Sequence, residues 1–301
     1  MLLLKGFVMH WSERRERFRS VIEGDRCVHP GSVFDPISAR IAEELGFEVG
    51  MFAGSVASQT VLGSPDMIVL SLSEFAGQAY RICRAGNLAL LVDADHGYGN
   101  ALNVRRTVEE LETAGVAALT IEDTELPQSY GTVGGTRLIS IEEGVGKMKA
   151  ALDGRQDPSL VIAGRTSAMS ITGPEDTVAR IKAYEAVGVD AVFLSGVTNT
   201  DQLAVVSDAV NIPIFLGGAA SALGDLASLS EAGVRICLQG HHPFQAAVKA
   251  TYDTLKALRD GTPPSEITTT APKDMMKRLT RDDEHKQWMR DWLGGEMAER
   301  D

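Results

Sequence analysis

The segment ETAGVAALTIED, residues 112–123, joins the end of an amphipathic helix to a short apolar strand through a single glycine. The same arrangement returns in EAVGVDAVFLSG, residues 185–196, and in SEAGVRICLQG, residues 230–240. Glycine readily adopts the left-handed conformation that closes a helix, so each glycine marks a helix end followed directly by a buried strand. Helices that alternate with apolar strands are typical of parallel α/β sheets. These segments therefore predict repeated β/α units.

Short apolar runs and helical patterns alternate along most of the chain. The predicted strands are Val28–Val33, Val49–Ala53, Leu88–Val92, Ala117–Ile121, Leu160–Ala163, Ala191–Leu194, Pro213–Leu216 and Arg235–Leu238. The predicted helices between them include Ser73–Ala85, Leu102–Ala114, Glu142–Leu152, Glu175–Val187 and Leu223–Ala232. Eight units at this chain length predict a (β/α)8 TIM barrel. A doubly wound open sheet is the alternative, although no GxGxxG motif follows the first strand.

The barrel is expected to occupy residues 28–260, between an N-terminal helical segment, 1–27, and a C-terminal extension, 261–301. The extension runs through GTPPSEITTTAP into a final helix, Met275–Trp292. Its apolar side chains at helical spacing are Met275, Leu279, Trp288 and Trp292. A face of this kind needs a cover, so the helix either folds back on its own barrel or contacts another subunit.

The composition describes an ordinary globular protein and excludes some partners. The chain has 301 residues, of which 44% are hydrophobic and 23% are charged. The net charge of -12, without a cluster of lysines and arginines, argues against nucleic-acid binding. Cys27, Cys83 and Cys237 are far apart and lie in apolar context. They predict reduced, buried thiols in a cytoplasmic protein rather than a disulfide framework.

The first residues, MLLLKGFVMHW, contain an apolar stretch that could be mistaken for a signal peptide. Lys5 interrupts the stretch, a charged run follows at once, and a small-residue cleavage site is missing. No segment of the sequence has the length of a transmembrane helix. We therefore expect a cytosolic protein without a membrane partner, for which either Met1 or Met9 is the natural start.

Polar residues at the ends of the predicted strands indicate a functional site, since the chemistry of such barrels takes place at the carboxyl ends of the strands. DADHGYGN, residues 93–100, places two aspartates two positions apart, and a continued strand would direct both to one side. Gly97 and Gly99 predict a turn before a helix near Asn100. The other strand ends contribute Ser55, Asp66, Glu122, Asp123, Arg165, Ser195, His241 and His242. Each alone could be a helix cap or a surface charge, but together they predict a site.

Several carboxylates close together repel one another unless a cation or a proton lies between them. Mg²⁺ prefers oxygen ligands and keeps several waters, so one carboxylate binds it directly and others hold its waters. The expected direct ligand is Asp93. The expected outer shell contains Asp66, Asp95 and Glu122. Arg165 would neutralise a substrate carboxylate or share the charge of an enolate, which predicts a small 2-oxo or 2-hydroxy acid as substrate.

Three motifs resemble the isocitrate lyase/phosphoenolpyruvate mutase superfamily: AGS at 53–55, DADHGYGN at 93–100 and IEDT at 121–124. The resemblance extends from SVFDPISARIAEELGF at 32–47 to ATYDTL at 250–255. DADxGYGN followed by ED one helix and one strand later is a specific signature. His96, where mutases and lyases usually show threonine, and Gly240–His241 resemble the oxaloacetate decarboxylase branch of the superfamily.

The resemblance implies a role for each matching residue. The family's metal aspartate falls on Asp93, and its outer acids fall on Asp66, Asp95 and Glu122. Its substrate-binding serine, arginine and histidine fall on Ser55, Arg165 and His241. Arg165 and His241 are also the catalytic candidates, since His241 can orient the departing carboxylate and help to return a proton to C3. The cofactor implied is Mg²⁺, with Mn²⁺ as an alternative ion.

The loop after the fourth strand, Thr124–Arg137, separates the reactions of this superfamily. It reads TELPQSYGTVGGTR and contains no Cys, Lys or His. Lyases of the superfamily share a K-[KR]-C-G-H segment in this loop. Mutases of the superfamily share a lysine and an asparagine there. The implied reaction is decarboxylation of oxaloacetate, or of a close β-keto dicarboxylate, to pyruvate and CO₂, which needs none of these side chains.

Two alternatives to decarboxylation stay open. One is another carbon–carbon lyase or hydrolase that acts on a substituted malate or oxaloacetate. The other is a non-catalytic barrel that binds a metal or ligand. In FLGGAASALG, Ala219 or its neighbours stand where relatives in the branch would show a tyrosine, which leaves the preferred substrate open. The resemblance further implies a homotetramer, a dimer of dimers, in which the C-terminal helix is exchanged between subunits.

Overall fold

The computed structural model describes residues 11–132, 135–218 and 221–294. Eight parallel strands form one sheet in which each strand pairs with the next along the chain. The strands are β1 Gly31–Ser32, β2 Val49–Phe52, β3 Ala89–Asp93, β4 Ala118–Glu122, β5 Val161–Thr166, β6 Ala191–Leu194, β7 Ile214–Leu216 and β8 Val234–Cys237. This consecutive order is the order of a barrel and not of a doubly wound sheet.

The sheet closes on itself through the residue that precedes β1 by three positions. Val28 forms a parallel bridge with Ile236 of β8. The Val28 N–H donates to the carbonyl of Arg235 at 2.9 Å, and the Cys237 N–H donates to the carbonyl of Val28 at 3.0 Å. The predicted (β/α)8 barrel is therefore confirmed, and the open sheet is excluded.

Helices separate the strands. They are α1 Trp11–Ile22, α2 Pro36–Glu44, α3 Gly54–Ala57, α4 Leu72–Cys83, α5 Ala101–Thr113, α6 Ile141–Gly154, α7 Ala168–Ile171, α8 Pro174–Val187, α9 Thr200–Ser207, α10 Leu226–Glu231, α11 His242–Arg259, α12 Lys273–Thr280 and α13 Asp282–Leu293. The chain divides into two compact units, Met1–His242 and Pro243–Asp301. The predicted division into 1–27, 28–260 and 261–301 stays a prediction, and in the structure α1 belongs to the same unit as the strands.

The glycines that the sequence singled out close their helices as expected. Gly115, Gly188 and Gly233 have φ values of 90°, 100° and 78°, which lie in the left-handed region. The apolar residues that follow each glycine enter β4, β6 and β8 and are mostly buried. The glycines from which the sequence predicts the repeat therefore form the helix–strand junctions of the structure.

Helix α1 covers the amino ends of the strands, opposite to the ends where chemistry is expected. The Arg15 guanidinium donates to the carbonyl of Val116 at 3.0 Å, and Arg19 donates to the carbonyl of Leu160 at 3.2 Å. Phe18 is fully buried and packs edge-to-face against Phe215 at 6.1 Å between ring centroids. Residues 1–10, including the alternative start at Met9, lie outside the described residues.

Three predicted elements need correction. The first strand, expected over Val28–Val33, contains only Gly31–Ser32 as β1, and Val28 joins the sheet through a separate bridge. The helix expected over Leu223–Ala232 is the shorter α10, because Asp225 caps it by accepting from the Ser228 N–H at 2.9 Å. The expected C-terminal helix Met275–Trp292 is two helices, α12 and α13, which meet at Arg281 with a φ of 56°.

The second unit contains most of α11 together with α12 and α13. None of the residues of α11 is buried. In α13 the rings of Trp288 and Trp292 stack at 5.6 Å, and Trp292 is 69% exposed. Across residues 11–132, 135–218 and 221–294, the structure contains no helix whose length and hydropathy would suit a membrane span.

Candidate active site

Asp93 is the last residue of β3 and lies at the carboxyl end of the barrel. Its Oδ1 accepts the backbone N–H of Asp95 at 3.1 Å and the hydroxyl of Thr120 at 3.2 Å. Thr120 is fully buried in β4 and is the register partner of Asp93. Sequence reasoning missed Thr120, although the pairing of the two parallel strands placed a hydroxyl opposite the aspartate. These donors hold one oxygen of Asp93 in a fixed position.

Asp95 does not continue the strand, contrary to the expectation that both aspartates point to one side. Its φ of 48° is left-handed, and β3 ends two residues earlier. Its carboxylate lies against Gly54, where an added Cβ would come within 2.5 Å of Oδ1. The glycine of the AGS motif therefore makes room for Asp95 at the end of β2. The turn, rather than the strand, brings the two acids together.

Arg165 joins the acids of β3 and β4. Its guanidinium forms a short ion pair with Asp93 and a second pair with Glu122, with 3.2 Å between Nη2 and Oε2. Glu122 and Arg165 are register partners in β4 and β5, and the Glu122 N–H donates to the carbonyl of Asp95 at 2.8 Å. The guanidinium carbon lies 5.3 Å from the centroid of the Phe193 ring. Within the described residues, the Nε of Arg165 is buried without a hydrogen-bond partner.

The charges of this cluster are not balanced. Burial, followed by the charges of Asp93 and Glu122, raises the pKa of Asp95 well above its ordinary value. Burial also raises the pKa of Glu122, although Arg165 opposes the shift. Burial lowers the pKa of Arg165, but Asp93 and Glu122 outweigh it and raise that pKa overall. One arginine thus faces several carboxylates, an arrangement that is common at functional sites.

Asp66 and Ser55 approach the cluster from the segment after β2. Ser55 is half-buried in α3, directly after the end of β2. Asp66 lies on the exposed loop that follows. Partial burial raises the pKa of Asp66, and the charge of Asp93 raises it further, so the two carboxylates interact electrostatically. The structure therefore brings all four predicted acids to one end of the barrel.

His241 follows β8 and lies on the rim of the barrel. Its Nδ1 lies 2.9 Å from the hydroxyl of Ser32, the last residue of β1. Burial lowers the pKa of His241, while the charge of Asp93 opposes that shift. Ser32 was not among the predicted residues, although it ends the first strand. His242 begins α11 and is exposed, as expected.

Asp123 does not belong to the cluster, although it follows Glu122 directly. It is fully buried and accepts the Tyr184 hydroxyl at 2.7 Å and the Arg180 guanidinium at 3.0 Å. Both partners come from α8. Asp123 therefore ties α8 to the end of β4 and takes a structural role.

The turn after Asp93 is held from outside the barrel. Gly97 and Gly99 have φ values of 77° and 147°, and Asn100 caps α5, as predicted. The Lys147 ammonium, buried in α6, donates to the carbonyl of His96 at 2.9 Å. Burial, followed by the charge of Lys147, lowers the pKa of His96 to about 4, so its ring is neutral at neutral pH. Lys147 was missed because a single lysine in a helix normally faces solvent.

The acids fit a hydrated divalent cation better than a closed metal cage. Among the described residues, no three potential ligands lie close enough together to bind an ion directly. Mg²⁺ does not need such a set, because it keeps several waters and takes one or two carboxylates. Burial, and after it the charge of neighbouring carboxylates, raises the pKa of Asp95 and Glu122, and a bound cation would neutralise that negative charge. The residues present therefore fit the ion.

The loop after β4 carries an ion pair of its own. Arg137 and Glu125 approach to 3.1 Å between Nε and Oε2, where Arg137 is exposed and Glu125 is half-buried. Residues 133–134 of this loop, and Ala219, where relatives in the branch would show a tyrosine, lie outside the described residues.

Comparisons with known proteins agree with this architecture. The family model described as phosphoenolpyruvate phosphomutase matches residues 18–259. A protein of Bradyrhizobium sp. (strain ORS 278) named oxaloacetate decarboxylase is 56% identical over 281 residues, 93% of this chain and 97% of that protein.

Two solved structures have the same fold at 26% identity. A phosphonopyruvate hydrolase in complex with oxalate and Mg²⁺ superposes with a TM-score of 0.82, covering 93% of this chain and 99% of the other. An oxaloacetate acetylhydrolase bound to the inhibitor 3,3-difluorooxalacetate superposes with a TM-score of 0.81, covering 95% and 99%. The family match spans most of the barrel, and the chain therefore belongs to the PEP mutase/isocitrate lyase superfamily.

Proposed function

We propose that this protein decarboxylates oxaloacetate, or a close β-keto dicarboxylate, to pyruvate and CO₂ with the help of Mg²⁺. The observation that carries the proposal is the meeting of Asp93, Glu122 and Arg165 at the ends of three neighbouring strands. The relative from Bradyrhizobium supports a carbon–carbon lyase that acts on oxaloacetate. The hydrolase with oxalate and Mg²⁺ supports a divalent ion and a small dicarboxylate at this end of the barrel.

Asp93 would hold the ion directly, and Asp66, Asp95 and Glu122 would hold its waters. The bound ion supplies Lewis acidity, which stabilises negative charge on the oxygen at C2 of the substrate. Mn²⁺ has the same preference for oxygen ligands and is the alternative ion. Burial raises the pKa values of these outer acids, and a bound cation would favour their ionised forms over the protonated ones.

Ser55 and Arg165 bind and polarise the substrate. The unpaired Nε of Arg165 offers a donor to a carboxylate or to the enolate oxygen. The C3–C4 bond breaks and CO₂ leaves. The electron pair of the broken bond stays with C3 and forms the enolate of pyruvate. A proton then adds to C3 to give pyruvate. Since the loop at 124–137 has no Cys, Lys or His, no second acid or base is expected from it.

His241 orients the carboxylate at C4 before it departs. Ser32 engages Nδ1, which leaves Nε2 as the nitrogen for the substrate. The lowered pKa keeps the ring neutral at neutral pH, so an N–H can donate to the carboxylate and help to deliver the proton to C3. A neutral donor also allows CO₂ to leave, whereas a fixed cation would hold the carboxylate in place.

A second reaction has support from the oxaloacetate acetylhydrolase neighbour. Hydrolysis of oxaloacetate by water would give oxalate and acetate, and a C–C lyase would cleave a substituted malate. A non-catalytic barrel would turn nothing over. None of these alternatives predicts equal amounts of pyruvate and CO₂.

The deciding experiment incubates the protein with oxaloacetate and Mg²⁺ and measures oxaloacetate, pyruvate, oxalate and acetate together. Pyruvate equal to the oxaloacetate consumed supports decarboxylation, and oxalate with acetate supports hydrolysis. Free Mg²⁺ can itself assist decarboxylation, so Asp93→Ala protein at the same Mg²⁺ concentration is the control. Loss of oxaloacetate at the rate of this control would contradict the proposal.

We also propose a homotetramer, a dimer of dimers, in which C-terminal helices are exchanged between subunits. Trp288, Met289 and Trp292 are 39%, 47% and 69% exposed, and large apolar side chains of this kind normally have a cover. Deletion of residues 270–301 should leave dimers or monomers in solution scattering. An unchanged tetramer would contradict the exchange. We place the protein in the cytoplasm, supported by its three free, buried cysteines.

A further inference from the structure

Tyr98 has an unfavourable backbone conformation beside the acid cluster. Its φ of 60° is left-handed, which is strained for a bulky side chain. Gly97 and Gly99 on either side adopt positive φ without a side chain to clash. Strain of this kind persists where the surroundings impose it and is concentrated at functional sites. The conformation alone therefore raises the question of what the tyrosine does.

The hydroxyl of Tyr98 is buried and unpaired. Over residues 11–132, 135–218 and 221–294 it finds no hydrogen-bond partner. The ring packs at 6.2 Å between centroids against both Phe75 and His96, and Phe75 stacks on Phe52 at the end of β2. A phenylalanine would make the same ring contacts. Buried polar atoms are nearly always paired, so this hydroxyl needs an explanation that packing does not give.

The turn does not need the hydroxyl for its own stability. Lys147 donates to the carbonyl of His96, and the Thr107 hydroxyl donates to the carbonyl of Gly97 at 3.0 Å. The Gly97 N–H donates to the carbonyl of Ala94 at 2.9 Å. These bonds fix the turn from the side of α5 and α6. A structural role for the hydroxyl is therefore unsupported.

The electrostatic surroundings of the phenol are those of the acid cluster. Burial, followed by the charges of Asp95 and Asp93, raises the pKa of Tyr98. The hydroxyl therefore stays protonated and can both donate and accept a hydrogen bond. Asp95 and Asp93, whose charges act on the phenol, are residues assigned above to the cation and its waters.

We propose that the Tyr98 hydroxyl is a hydrogen-bonding group of the hydrated-metal site, paired only when the ion and its waters are bound beside Asp95. This inference rests on the proposed metal site. A protonated phenol can donate to a carboxylate and accept from a bound water at the same time. Tyr98 is thus a positioning residue for the water shell, because partners of this kind fix the orientation of metal-bound groups.

The test compares Tyr98→Phe with Tyr80→Phe in the full chain. Tyr80 is 45% exposed on α4 and serves as the matched control. Calorimetric titration with Mg²⁺ in the absence of substrate gives the Kd, and thermal unfolding without metal gives the stability. Tyr98→Phe should raise the Kd for Mg²⁺ by about tenfold, as outer-shell changes commonly do. Its metal-free Tm should be equal to or above that of the wild type, because an unpaired buried hydroxyl is removed. Tyr80→Phe should change neither value.

Two results would overturn the inference. A Kd within twofold of the wild type would show that the hydroxyl has no partner in the metal-bound state. A lower metal-free Tm would show that it has a partner in the metal-free protein. Failure of the proposed metal site has a different signature, because Asp93→Ala would then keep the wild-type affinity for Mg²⁺. If Asp93→Ala abolishes binding while Tyr98→Phe matches the wild type, only the role of Tyr98 is refuted.

Discussion

Glu122 and Asp123 are consecutive acids at the end of β4, yet their surroundings are opposite. Asp123 is fully buried and has two donors from α8, Arg180 and Tyr184. Glu122 is buried too, but it shares Arg165 with Asp93 and also lies near Asp95. The first carboxylate, that of Asp123, has its Oδ2 paired by donors of the folded chain, while its Oδ1 is buried without a hydrogen-bond partner among the described residues. The second belongs to a group with too little positive charge, and such a group is completed by a ligand.

Removal of the proposed direct metal ligand is the most severe test of the carboxylate cluster. Asp93→Ala should abolish Mg²⁺ binding and lower kcat/KM for oxaloacetate by at least about three orders of magnitude, because several kcal/mol of charge stabilisation are lost. Steady-state kinetics with Mg²⁺ titration measures both effects. Turnover within tenfold of the wild type would mean that the unbalanced cluster is not the active site.

His241 is a proposed functional residue on the rim of the barrel, where it pairs with Ser32 and not with the carboxylate cluster. His241→Ala should lower kcat/KM by about one to three orders of magnitude, the usual result of losing a hydrogen bond that strengthens in the transition state. The affinity for Mg²⁺ should stay normal. His242→Ala is the matched control and should change little. Full activity of His241→Ala would make this histidine structural.

The two neighbouring acids of β4 can be compared directly by paired substitutions. Glu122→Gln should reduce metal affinity or activity by about 10- to 100-fold, with little loss of stability. Asp123→Ala should destabilise the protein by about 1–3 kcal/mol, because the buried Tyr184 hydroxyl loses its acceptor, while Arg180 keeps its ion pair with Asp176. Activity of the folded fraction of Asp123→Ala at low temperature should stay within severalfold of the wild type. Denaturant unfolding measures the stability of both variants, and steady-state kinetics measures their activity. A large loss of stability in Glu122→Gln together with a large loss of activity in Asp123→Ala would contradict these roles.

The smallest expected effect is a pH dependence of the metal-free protein. Asp95 and Glu122 have raised pKa values in the folded state, so they bind more protons folded than unfolded above about pH 4. Stability contributed by these protons is present at low pH and is lost as pH rises through the raised pKa values. The metal-free Tm should therefore fall by a few degrees between pH 5 and 8. Asp95→Asn should flatten this slope and raise the Tm at pH 8, whereas an unchanged slope would deny that Asp95 causes it.

The repeat was predictable because its signals are local. Each strand that follows one of the helix-ending glycines, Gly115, Gly188 and Gly233, lies close to its predicted position. The first strand was overestimated because Val28 meets its neighbour by one bridge that depends on the far end of the barrel. The break at Arg281 was missed since no glycine or proline marks it.

The members of the site were predictable from where the strands end, but their geometry was not. The left-handed turn at Asp95 depends on space above Gly54, which no local pattern encodes. The buried ammonium of Lys147 depends on a carbonyl 51 residues away in sequence. Such long-range compensation of a buried charge becomes visible only when the two segments are placed together.

We expect the barrel to open first at the closing bridge of Val28. β4 and β5 pair from Ala118 to Glu122, whereas Val28 meets β8 through two backbone hydrogen bonds. Amide hydrogens at Val28 and Cys237 should therefore exchange with deuterium well before those of β4, through local opening rather than global unfolding. Ser32 and His241 lie on the two sides of this seam, so each opening separates them. A ligand that binds His241 would then slow deuterium exchange at the Val28 amide. The exchange rate of this amide would therefore report whether a ligand occupies the rim of the barrel.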